Sequence, residues 1–112
     1  MPQSKYVAIN IGIKERFYIA IRELLAMGVL RGRQTYCRLY GIDKRNFYAQ
    51  EADLTLLRIQ LYWLVPLVHE YGVSAKWLLT GEGYMFEIEP QPKLRKKRAV
   101  RYPKEGQKEV AP

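Results

Sequence analysis

The sequence predicts an all-α fold, a compact bundle of about five short helices followed by a basic tail. Three observations point there. An apolar stripe at helical spacing runs through Ile13, Phe17, Ala20, Ile21, Leu24 and Leu25. Two short apolar-faced segments, at about 33–40 and 44–51, flank Gly41 and Asp43, a helix breaker and a helix-capping residue. The stretch "GVSAKWLLTGEG" (72–83) then sets Ser74 before a short apolar run and Gly81 behind it, the start and stop signals of one more helix.

The first helix is expected at about 14–27, with Lys14, Glu15, Arg22 and Glu23 off the apolar stripe and Gly28 as its stop. Ahead of it, "YVAINIGI" alternates apolar residues at 7, 9, 11 and 13. Residues 1–12 are therefore set apart as an N-terminal arm, either extended or the ragged start of the helix. Tyr36, Cys37, Leu39 and Tyr40 give the second helix its apolar face. After Gly41, the Asp43 carboxylate can accept the orphan amide hydrogens of a third helix that buries Phe47 and Gln50. Two short helices joined by three or four residues with Gly in the turn make a helix-turn-helix. "LLRIQLYWLVPLVHEY" (56–71) is apolar nearly all round, so a fourth helix there would be buried on more than one side. Pro66 predicts a kink in it or a split into two. The last helix runs from Ala75 to about Leu79, and Trp77, Leu78 and Leu79 are expected to seal the end of the bundle.

Charge is unevenly spread. Residues 1–88 carry eleven Lys/Arg against eight Asp/Glu, while residues 89–112 carry eight against three, for a net +8. Such a bias favours a polyanion, either nucleic acid or an acidic membrane surface. The membrane reading is set aside, because "LYWLVPLV" (61–68) is too short to span a bilayer and no amphipathic helix accompanies the tail. Residues 89–112, with four prolines and few large apolar side chains, have the composition of a disordered basic tail. Cys37 has no partner for a bridge, and neither it nor the single His69 has companions at metal-ligand spacing. No signal peptide precedes the first helix, so a reducing, cytoplasmic setting is expected. No metal, cofactor or small-molecule ligand is expected, and no acid, base or nucleophile clusters with Glu82 to suggest an enzyme.

The closing phrase, extended to Met85, resembles the end of phage-repressor-like (XRE/lambda-repressor-like) DNA-binding domains. Many of these close with Gly-Val-Ser/Asn-x-x-Trp-Leu-Leu-Thr-Gly-Glu-Gly-x-Met. Upstream, "RQTYCRLYGIDKRNFYAQE" (33–51) is similar to their helix-turn-helix, and the resemblance covers about residues 13–86. Departures are Cys37 where the family usually has Ala, and Gly32 where a capping Ser, Thr or Asn is common. Gln50, Ala52 and Asp53 also stand where an aromatic and Gly are usual.

The resemblance implies a helix-turn-helix domain at 13–88 in a sequence-specific, double-stranded-DNA-binding transcriptional regulator of repressor-like, phage or mobile-element type, associated with the nucleoid. Its recognition helix, about 44–51, would enter the major groove. The family's base contacts fall at the positions of Lys44 and Arg45, with Asn46 and Tyr48 directed to bases or phosphates. Lys and Arg suit guanine O6/N7, and Asn suits adenine N6/N7. Arg31, Arg33, Gln34 and Arg38, at or near the start of the preceding helix, and Arg58, near the start of the fourth, are phosphate candidates. Without the resemblance, such a basic run would read as an ordinary solvated face. The self-cleaving peptidase domain that family repressors often carry is not expected here.

Excess apolar surface around Tyr62, Trp63, Val65, Leu67 and Val68 leads to the expectation of a homodimer on a pseudo-palindromic site. The alternative is a repressor-fold protein-interaction module without specific DNA binding. The tail segment "KLRKKRAVRY" (93–102) has three open roles: phosphate binding outside the groove, a solubilising end, or an edge strand pairing with residues 7–13.

Overall fold

Among the described residues, five α-helices and one turn of 3-10 helix follow one another: α1 (Lys5–Ala26), α2 (Arg33–Tyr40), α3 (Lys44–Ala52), the 3-10 turn (Leu61–Trp63), α4 (Val65–Tyr71) and α5 (Ala75–Thr80). The structure, a computed structural model, describes residues 5–53 and 55–90. From residue 91 onward the expected tail lies outside the described residues, as do the roles read for 93–102. The all-α expectation is met, and the β structure among the described residues is one isolated bridge between Val73 and Phe86.

Helix α1 starts well before the expected position near 14. Residues 5–12 are helical, so the alternating run is the start of the helix and not an extended arm. The reason lies in its spacing. Val7, Ile11, Lys14, Tyr18 and Ile21 recur at intervals of four and three, so part of the alternating run, the half-buried Val7 and Ile11, continues the buried arc, while Ile9 faces outward. That arc is wider than the expected stripe, and it takes in Lys14, which is fully buried instead of lying on the polar side. Its ammonium donates to the carbonyls of Asp53 and Leu56, both at 2.6 Å, and so ties α1 to the chain leaving α3. Burial, outweighing the pull of Asp53, holds the Lys14 amine below its usual value.

The expected fourth helix at 56–71 is shorter. Residues 56–60 are irregular, the chain tightens into the 3-10 turn, and α4 begins only at Val65 with Pro66 in its first turn. Proline lacks an N–H and clashes with the preceding turn, so the first turn is the place a helix accepts it. The apolar run therefore covers three conformations, with Trp63, Leu64 and Leu67 turned inward and Leu61, Tyr62, Val65 and Val68 exposed.

Aromatic rings fill the centre. Phe17 meets Tyr18, Tyr36 and Phe47 edge-on, with centroids 4.9, 6.0 and 5.9 Å away, and Trp63 lies 6.1 Å from it. Edge-on pairs of this kind contribute about 0.5–1.5 kcal/mol each beyond the area they bury. Their hydroxyls are satisfied. Tyr18 donates to the Phe47 carbonyl at 2.8 Å and Tyr36 to the Trp63 carbonyl at 2.6 Å. At the end of the bundle α1 packs on α5, where Arg16 donates to the Leu78 and Leu79 carbonyls at 2.8 and 3.2 Å. Leu78 is buried and Trp77 partly so, but Leu79 is 48% exposed and seals nothing.

The chain then folds back over Gly72 and Ser74. Ser74 N–H donates to the Met85 carbonyl and Glu87 N–H to the Gly72 carbonyl, both at 2.8 Å. Gly72 is required twice over. Its φ is +73°, and a Cβ there would stand 2.6 Å from the Ile88 carbonyl oxygen.

Candidate nucleic-acid interface

Helix α2 and helix α3 are joined by Gly41, Ile42 and Asp43. Gly41 takes φ 67°, a left-handed conformation that closes α2, and its N–H donates to the Cys37 carbonyl. Ile42 anchors the turn in the core. Tyr62 holds the turn from outside, donating its hydroxyl to the Gly41 carbonyl at 3.0 Å. The Asp43 carboxylate then accepts the Asn46 N–H at 3.1 Å and starts α3, as expected from the sequence. Ser74 does the same for α5 through the Trp77 N–H.

Phe47 and Gln50 point into the core, both fully buried, which fixes the rotation of α3 about its axis. The opposite face carries Lys44, Arg45, Tyr48, Ala49 and Ala52, all exposed. Lys44 and Arg45 make no ion pair among the described residues. Their charges lie on the first turn, with Tyr48, 40% exposed, one turn further on. Two alanines on the same face keep it low.

Helix α2 buries Tyr36 and Cys37. The Cys37 thiol is pushed up, by burial first and by Asp43 second, so it is a protonated packing residue between the two helices. Gly32, extended at the start of α2, offers no side-chain cap, and the first amides there have no side-chain acceptor. Arg31, Gln34 and Arg38 are exposed, and neither arginine forms an ion pair among the described residues.

Two of the expected contact residues are engaged inside the chain. Arg33 forms a two-pronged pair with Glu51, at 2.7 and 3.0 Å, and Arg22 reaches the same carboxylate at 2.9 Å. This joins α1, α2 and α3 at one point, and the bond to Glu51 holds the Arg33 guanidinium above its usual value. Asn46 is only partly exposed. Its Oδ1 accepts from Gln50 Nε2 at 3.2 Å and its Nδ2 donates to the Arg58 carbonyl at 3.3 Å, so its amide is used at both ends. Arg58 stands in the irregular segment, not at the start of a helix, with an exposed side chain.

Sequence reasoning missed Arg22 and Glu51 as the tie between helices. Nothing local marks a glutamate that pairs with arginines 18 and 29 positions away. The apolar surface expected for a dimer is half present. Trp63 and Leu67 belong to the core, whereas Tyr62, Val65 and Val68 are 48, 47 and 39% exposed, with Leu61 beside them at 82%. His69 is a helix-end surface residue, as expected. Among the described residues no group of three or more His, Cys, Asp or Glu could hold a metal, and no helix is long and apolar enough to cross a membrane. Comparison of the chain with family models, curated proteins and solved structures gives no match.

Proposed function

We propose that the chain binds double-stranded DNA sequence-specifically and regulates transcription by occupying its site, with α2 and α3 serving as a helix-turn-helix and α3 entering the major groove. One observation carries the reading. Helix α3 is locked to the core through Phe47 and Gln50, and its outward face is a low surface bearing two uncommitted cations in the first turn. The N-terminal residues of a groove-bound helix are those that reach base edges. Lys44 and Arg45 are suited to guanine, and each good bidentate contact contributes about 1–3 kcal/mol of discrimination. Tyr48 and the alanines offer apolar contact to thymine methyl groups. Arg31, Gln34 and Arg38, with the uncapped start of α2, suit the phosphate strand.

A second copy follows from the scale of the reader, since one helix of this size spans only a few base pairs and two would multiply the specificity. The exposed residues Leu61, Tyr62, Val65 and Val68 are the proposed contact between copies. Titration of the chain against duplex DNA at two or more salt concentrations tests the reading. Affinity should fall steeply with salt, and Lys44→Ala with Arg45→Ala should weaken it. An affinity for no duplex at any salt concentration would instead favour the protein-interaction module.

A further inference from the structure

The backbone of Arg58 is held by α3 at both of its polar groups. Its N–H donates to Gln50 Oε1 at 2.9 Å, and its carbonyl accepts from Asn46 Nδ2 at 3.3 Å. Gln50 Nε2 donates to Asn46 Oδ1 at 3.2 Å, which closes a ring of three bonds around one residue of an irregular segment. Gln50 is fully buried, so its amide has no solvent alternative to these partners. An apolar side chain would fill the same space but would not specify where residue 58 goes. Pinned at N–H and C=O, Arg58 has only its side chain left free, and that side chain is exposed and outside any ion pair among the described residues.

The placement on α3 gives this ring a purpose. At 3.6 residues per turn, position 46 borders the exposed face on the side of Arg45 and Ala49, and the buried Gln50 backs it from the core side. Glu51, with Arg33 and Arg22 gathered on it, borders the same face on the side of Lys44 and Tyr48. The backbone of Arg58 therefore lies at one edge of the face and the Glu51-paired arginines at the other, and a helix in the major groove has a phosphate strand along each edge.

Resting on the DNA-binding reading above, we propose that Asn46 and Gln50 are positioning residues. They form an amide clamp that sets Arg58 against the phosphate strand on the Arg45 side of α3, and Asn46 reads no base. The segment leaving α3 thereby becomes a built part of the contact surface instead of a passive connection.

A mutant cycle on the full chain, read as affinity for a labelled mixed-sequence duplex across a salt series, tests this. Arg58→Ala should lower the log–log salt slope by about 0.9 per bound copy, the loss of one phosphate contact. Gln50→Met, which keeps the volume but removes the amide, should produce the same drop. The double variant should be no worse than either single one. Equal further loss from Gln50→Met in the Arg58→Ala background would overturn the clamp, because a merely structural glutamine matters regardless of residue 58. If Gln50→Met does not fold, Asn46→Ala takes its place in the cycle. There, an altered sequence preference in place of a lower slope would overturn the positioning role by making Asn46 a base reader. Lys44→Ala with Arg45→Ala, run alongside, separates the two levels. Loss there without coupling between residues 50 and 58 sinks the clamp alone, whereas no salt-dependent duplex affinity in the unsubstituted chain sinks both.

Discussion

Two ionisable side chains lie beneath α3, and they respond to pH in opposite senses. Burial first, then the Glu51 carboxylate, pushes the Tyr18 phenol above its ordinary value of 10.0. The unfolded chain therefore ionises first. The stability Tyr18 contributes is whole below about pH 10 and is lost as pH rises beyond it. Lys14 is held below its ordinary 10.5 by burial, so the cost of burying its charge is relieved as pH rises toward that value. Comparing Tyr18→Phe with the unsubstituted chain isolates the first effect. The substitution removes the bond to the Phe47 carbonyl and should cost about 1 kcal/mol at neutral pH. Melting temperatures followed from pH 7 upward should then converge above about pH 10, since the variant lacks the alkaline loss. Curves that stay parallel would show that Tyr18 does not titrate differently in the two states.

Between elements, the fold-back of residues 85–88 across Gly72 and Ser74 is the most exacting contact. Gly72→Ala places a Cβ against the Ile88 carbonyl and strains a positive φ, so a loss of about 1–3 kcal/mol is expected. Hydrogen exchange at the Ser74 and Glu87 amides should quicken more than exchange in α1, because those amides bond across the fold-back. Uniform acceleration would mean that Gly72 acts on global stability alone. Caps and breakers were legible because Asp43, Ser74, Gly41 and Gly81 act on their own neighbours. The burial of Phe47 and Gln50 followed from helical period. The extent of α1 and the irregular stretch at 56–60 did not, since an alternating run also contains fours and threes, and an apolar run is compatible with coil as well as helix. The burial of Lys14 and the intrachain partners of Arg33 and Asn46 were not legible for a related reason: Asp53, Leu56, Glu51 and Arg58 are remote in the chain or reached only after it turns. Charge alone says that a side chain can meet a phosphate. Only the fold says whether a neighbour has already claimed it.

In the whole molecule, α3, the proposed reading helix, and the proposed contact between two copies occupy different parts of the surface. Val65→Glu with Val68→Glu should shift sedimentation toward the monomer, and melting should fall only by what the contact between copies contributes, because both side chains are exposed in the single chain. An unaltered mass distribution would remove this surface from the proposal. The central claim is that Lys44 and Arg45, presented by α3, read base sequence. Selection of bound duplexes from a random pool, run in parallel with the unsubstituted chain and the Lys44→Ala/Arg45→Ala variant, tests it most directly. The unsubstituted chain should enrich a two-fold-related site, and the variant should bind with that preference relaxed. Enrichment of the same site by both proteins, with unchanged preference, would contradict it.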